Sequence, residues 1–129
     1  MKKLIIASII ALTCLSSTKI VFAGYQAYTN YLLYTNHGNH FTNVHLKATG
    51  DQYISNRVKS YTGTTEATFW AVSGESGSGE RVSGFYNQKV GTTSKIEFNR
   101  NVSKDAKVQM GMENYKDGEA RVSGEVDFR

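Results

Sequence analysis

Ala106-Lys107-Val108-Gln109-Met110-Gly111-Met112-Glu113-Asn114-Tyr115-Lys116-Asp117-Gly118-Glu119-Ala120-Arg121-Val122-Ser123-Gly124-Glu125-Val126-Asp127-Phe128 reads as two β-strands around a turn. Ala106, Val108, Met110 and Met112 share one face of the first run, and Ala120, Val122, Val126 and Phe128 share one face of the second. A period of two is the signature of a strand with one face turned to a core. Asp117-Gly118 supplies the positive φ angles of a tight turn, so the two runs are expected to pair with each other as a hairpin. Gly124 interrupts the inward row and marks a bulge or a close backbone approach.

The same period recurs upstream. Val44, Leu46 and Ala48 alternate with His45, Lys47 and Thr49, which puts the polar side chains on the solvent face. Ile96 and Phe98 alternate with Lys95, Glu97 and Asn99. Ala67, Phe69 and Ala71 alternate with Thr68, Trp70 and Val72, a strand apolar on both faces and the best candidate for the centre of the core, with Trp70 read as core. Nothing after Gly24 has a helical period. Short strands separated by turns predict an all-β protein, a single small antiparallel β-sandwich. Gly74 to Gly79 is a Gly-Ser loop, read as a hairpin loop or a binding loop. The chain has no proline, so its edge strands need charge, bulges or a partner to protect them. Arg81-Val82-Ser83-Gly84 returns as Arg121-Val122-Ser123-Gly124, which reads as two similar strand endings rather than a repeat array.

The other end of the chain carries a targeting pattern. Lys2 and Lys3 precede an uncharged run from Leu4 to Leu12, and Val21-Phe22-Ala23 follows. That is the layout of a signal peptide, expected over residues 1–23 with cleavage after Ala23, leaving an antiparallel β domain over 24–129 in a secreted, extracellular protein. The run is too short to span a hydrocarbon core of ~30 Å, so contact with the membrane is expected only during export. Cys14, the only cysteine, lies in the leader, and Ala11-Leu12-Thr13 before it is a poor lipidation signal. The remaining chain is disulfide-free and relies on packing, which roughly 100 residues can supply. Loss of Lys2, Lys3 and Lys19 takes the net charge from +4 to +1, because all 11 acidic residues lie later. The basic balance therefore belongs to targeting, and nucleic acid is not an expected partner.

Three sets of residues bear on chemistry. His37, His40 and His45 lie within nine residues and are weak candidates for a metal site, which needs three or four converging ligands. Their plainer reading is solvated loop histidines, and no cofactor is expected. The chain contains no Gly-x-Ser-x-Gly elbow between strand and helix, and Glu113, Glu119, Glu125 and Asp127 read as the solvated face of the last two strands. Tyr25, Tyr28, Tyr31 and Tyr34 recur at a spacing of three, which suits neither a flat strand nor an amphipathic helix. They read as an irregular segment packed on the sandwich or as a contact strip for carbohydrate, a cell-wall precursor or a second copy of the chain in a homo-dimer.

Several of these segments resemble a known group. Thr65-Glu66-Ala67-Thr68-Phe69-Trp70-Ala71-Val72, Val82-Ser83-Gly84, Lys89-Val90-Gly91, the run from Val102 to Tyr115 and the run from Val122 to Phe128 are similar to small exported β-rich Gram-positive proteins known only as a domain of unknown function. That resemblance covers about residues 64 to 128 and implies no catalytic residue. Tyr34-Thr35-Asn36-His37-Gly38, followed by His45 and Ala48-Thr49, resembles the N-terminal half of the lactococcin 972-type bacteriocins. Those are secreted, cysteine-free and β-rich, and the likeness implies an antibacterial protein acting on a cell-wall precursor. Taken together, the expectation is a secreted binding protein, not an enzyme, whose partner is an envelope component or another protein. The alternatives are a bacteriocin-like protein and a His-metal-dependent hydrolase.

Overall fold

The computed structural model describes residues 24–34, 39–75, 79–114 and 116–129. The expected leader with Cys14 and the expected cleavage site after Ala23, His37, residues 76–78 of the Gly-Ser loop, and Tyr115 lie outside the described residues. Among the described residues there are ten strands and no helix: β1 (Tyr25–Leu33), β2 (His40–Phe41), β3 (His45–Leu46), β4 (Tyr53–Thr62), β5 (Glu66–Ser73), β6 (Glu80–Arg81), β7 (Tyr86–Lys89), β8 (Thr93–Glu97), β9 (Lys107–Asn114) and β10 (Ala120–Asp127). They form two antiparallel sheets. The first runs β1-β10-β4-β8; the second runs β2-β9-β5-β6, with β3 also on β9 and β7 also on β5. One core fills the space between them, with Ile54, Val58 and Val122 from the first sheet meeting Phe69, Met110 and Met112 from the second.

The expected C-terminal hairpin does not form. β9 pairs with β5, β2 and β3, whereas β10 lies between β1 and β4. The turn around Asp117-Gly118 carries the chain from one sheet to the other, and the inward rows of the two strands belong to opposite walls of one core. Alternation requires only that both rows reach a common interior, a condition that facing strands meet as well as neighbouring ones.

The strand expected at 44–49 is also corrected. Only His45 and Leu46 pair, with Val108 and Lys107, and the facing is reversed. Lys47 is fully buried while Val44, Leu46 and Ala48 are half-exposed. The Lys47 ammonium donates to the carbonyl oxygens of Asp51 and Arg129, the latter at 2.6 Å, and lies 5.1 Å from the Phe98 ring centre. A buried cation is tolerable where it is hydrogen-bonded, as here. Desolvation pulls its pKa below the usual lysine value.

Two bulges explain the tyrosine spacing. The β1–β10 register shifts between Tyr28 and Tyr31, where Asn30 has φ 56°, and the β10–β4 register shifts between Ser123 and Gly124. An extra residue on a strand restores the facing that an odd spacing would reverse. Tyr28 and Tyr31 thus both reach the core, as do Val58 and Tyr61 on β4. The bulge at Asn30 also breaks the uncharged outer edge of β1, and the opposite edge, β8, carries the exposed Lys95 and Glu97.

A polar chain crosses the core. The Tyr28 hydroxyl donates to Asn56 Oδ1 at 2.8 Å, and Asn56 Nδ2 donates to Gln88 Oε1 at 2.7 Å. Gln88 Nε2 returns to the Asn56 carbonyl at 3.1 Å, joining β4 of the first sheet to β7 of the second. Each member is satisfied, which is the condition for a buried polar network to fix a unique packing.

Candidate binding site

The second sheet carries apolar side chains on its outer face as well, among polar ones. Thr68, Trp70 and Val72 of β5 point away from the core and stand opposite Glu113, Gly111 and Gln109 of β9. Gly111 has no side chain, and the Trp70 indole occupies the space a β-carbon there would take. A close approach of this kind is the use a strand makes of glycine. Phe41, paired with Gly111 from β2, stands perpendicular to the indole at a ring separation of 6.1 Å. Phe85, just before β7, stands at 80° on the other flank at 5.4 Å. Trp70 is left 4% exposed, but Phe41 is 37% and Phe85 58% exposed. The Arg81 guanidinium lies over the Phe85 ring at 4.2 Å.

These rings border a cleft of about 510 Å³, whose lining also includes Asn39, Val72, Gly79, Arg81, Gln109 and Glu113. Its wall contains an unusual group. Gln109 is only 2% exposed, and its Oε1 has no hydrogen-bond partner among the described residues. A buried carbonyl oxygen without a donor costs about 1–3 kcal/mol, and this one is shut off from the cleft by its neighbours. Arg81 and Glu113 place both signs of charge on the lining, and the ion pairs Arg100–Glu80 (2.7 Å) and Lys107–Glu75 further mix the charges of the second sheet. Such a surface does not select a polyanion. It suits a ligand with one apolar face and a rim of donors and acceptors.

The residues singled out in the sequence are distributed otherwise. The four tyrosines do not form one strip. Tyr28 is buried, its pKa pushed far above the usual value by desolvation, and Tyr31 is half-buried against His40, ring centres 4.8 Å apart. Tyr25 is outside the core, its hydroxyl 3.0 Å from Ser55 Oγ and its ring under Arg57, while Tyr34 is exposed and leans on His40. Tyr28 and Tyr31 instead meet His45 and Phe128 around a small cleft of about 150 Å³. The described histidines are packing groups: His40 Nδ1 donates to the Leu32 carbonyl at 2.7 Å, and His45 stacks on Phe128 at 4.3 Å. Burial lowers the His45 pKa. Among the described residues no three His, Cys, Asp or Glu side chains gather as a metal site, and His37 lies outside them. Trp70, read as core, is buried on the outer face of its sheet instead, because Gly111 makes room for it there.

Phe41, Arg81, Phe85 and Gln109 carry the cleft and escaped the sequence reading. The usable signal was β5 itself: an apolar row on its second face must be covered by something, and the covering residues come from strands distant in sequence.

No protein-family model and no curated protein matches this chain. Among solved structures, the chain is similar to that titled "Crystal structure of PirA", with 10% identity, a TM-score of 0.50, and coverage of 86% of this chain and 98% of that one. At that identity the likeness is one of fold: across most of its length this chain has a two-sheet β architecture similar to that of PirA.

Proposed function

We propose that the protein is an exported binding module that works at the cell envelope or outside the cell, through the outer face of the second sheet, and not by catalysis. The observation that carries the binding surface is the cleft beside Trp70, walled by two exposed phenylalanines and rimmed by Asn39, Arg81 and Glu113. Apolar rings in a concavity with a few convergent polar groups are the usual make-up of a ligand site. Among the described residues its lining has one carboxylate and neither a histidine nor a serine, a poor set for acid–base or nucleophilic work. The leader pattern of residues 1–23 supports export.

The test is co-sedimentation of the purified protein with isolated Gram-positive cell walls. The wild-type protein is expected in the pellet, Phe41→Ala/Phe85→Ala in the supernatant, and Tyr34→Ala, altered elsewhere, in the pellet. Wall binding unaffected by the double substitution moves the site away from this cleft. Fractionation of producing cells tests export separately, the expected location being the medium or the wall.

A further inference from the structure

We infer that the open edge of β1 is an interface between two copies of this chain, which pair antiparallel along Tyr25–Thr29 about a two-fold axis at Ala27 and join their first sheets into one. The ladder pattern leaves backbone groups free on this edge. Val58 on β4 bonds toward β8, its N–H to the Thr92 carbonyl at 3.2 Å and its carbonyl to the Gly91 N–H at 3.0 Å. Antiparallel strands alternate the side to which their backbone groups point, so Ser55 and Arg57 turn to β10 and meet Asp127 and Glu125. Val126 and Gly124 then face Gln26 and Tyr28 of β1, and the N–H and C=O groups of Tyr25, Ala27 and Thr29 point to the open side. The same alternation holds past the bulge, where the Leu32 carbonyl is reached from the open side by His40 Nδ1 at 2.7 Å.

Free backbone groups along an edge are matched by one kind of partner, another extended strand. The other edges among the described strands are blunted. β2, β3 and β6 have two residues each. β7 and β8 cover each other, the Tyr86 hydroxyl accepting the Glu97 N–H at 3.2 Å, and β8 also carries Lys95. β1 has neither a charge nor a proline in its nine residues. A second copy fits it in register. With the axis at Ala27, Tyr25 faces Thr29 of the other copy, an aromatic residue opposite a β-branched one, and two small side chains meet at the centre. Gln26 faces Tyr28 of the other copy on the inner side, where the cleft of about 150 Å³ runs beside β1. Each Gln26 amide is thus set at the mouth of the other copy's cleft, among the hydrogen-bonding groups of Thr42, Asn43 and His45. Such a contact is self-complementary and closes at two copies.

The mass of the purified protein is measured by sedimentation equilibrium from micromolar to millimolar concentration. It is expected to rise from one chain to two, and residue-resolved hydrogen exchange at Ala27 and Thr29 should slow over the same range. Ala27→Pro removes an N–H that the single chain does not use, a change that edge strands accept. Ala27→Lys sets two ammonium groups opposite each other at the axis. Both variants should stay at one chain where the wild type is two, with the Trp70 emission and melting temperature of the dilute wild-type protein. If Ala27→Pro loses that emission, Ala27→Lys alone decides. Phe41→Ala/Phe85→Ala should pair as the wild type does. A wild-type mass of one chain throughout overturns the inference. Pairing that survives Ala27→Lys, or is lost instead in the double phenylalanine variant, overturns it as well, and a mass that climbs past two chains overturns the two-fold arrangement.

Discussion

The hydroxyl oxygen of Tyr28 lies 2.5 Å from the position that a β-carbon on Gly124 would occupy, so the glycine in the inward row of β10 is the seat of a tyrosine from β1. The Arg57 carbonyl closes the same space from β4. Gly124→Ala is therefore expected to destabilise the fold by about 3 kcal/mol, the upper part of the range for an overpacked core. Gly84→Ala, where an added β-carbon meets nothing, should stay within about 0.5 kcal/mol of wild type. Urea denaturation of the two variants checks both.

The network that crosses the core gives a second expectation. Asn56→Ala strands the Tyr28 hydroxyl and Gln88 Oε1, and should cost about 2–5 kcal/mol, an orphaned group counting for roughly 1–3. Replacing the three partners together, Tyr28→Phe with Asn56→Leu and Gln88→Met, should recover most of that loss, because apolar substitution leaves no orphan. A triple variant as unstable as Asn56→Ala would show that volume, not hydrogen bonding, sets the cost.

Alkaline pH should unfold the protein through two phenols. Burial pushes Tyr28 and Tyr61 well above the usual value, so above about pH 10 the unfolded chain loses these protons first and stability falls as pH rises. The slope should approach about 1.4 kcal/mol per pH unit for each tyrosine. Lys47 acts in the opposite sense. Its depressed pKa means the unfolded chain holds the extra proton between the folded and unfolded values, so stability contributed by this group rises with pH up to about 10.5. Denaturation midpoints measured from neutral to alkaline pH should decline more gently in Tyr28→Phe, and the tyrosinate absorbance of those two rings should appear only with unfolding.

Gly111→Ala should expel the indole from its place on β9. A red shift of Trp70 emission, loss of wall binding and a destabilisation of about 1–3 kcal/mol are expected together. Unchanged emission would show that the ring can move aside without leaving the sheet.

The fold class was legible because half-buried strands write their facing into every second residue, as Val108, Met110 and Met112 do. The partner of a strand is not written there. Val108 and Val122 are both inward, and that fact is the same whether their strands lie side by side or on opposite sheets. Asp117-Gly118 marks a reversal of the chain without saying in which plane it turns. The tyrosine spacing was visible but unreadable, since a period of two interrupted by a bulge at Asn30 imitates a period of three. Lys47 reversed a pattern because two backbone carbonyls and a ring, all distant or irregular in sequence, outweighed its hydrophilicity. The cleft was hidden for a related reason: Phe41, Trp70, Phe85 and Gln109 become neighbours only through the registers of β2, β5, β7 and β9.

β10 comes last in sequence among the described strands, yet it occupies an interior position in its sheet, between β1 and β4. Until residues 120–127 are made, β1 has no neighbour in its sheet and β4 has only β8. The pairing that closes the first sheet joins segments far apart in sequence, as Tyr25 and Asp127 are, so its closure carries a large loop-closure cost. The first sheet is thus a unit that closes all at once or not at all, since the strand at its middle is also the one that must come back from farthest along the chain.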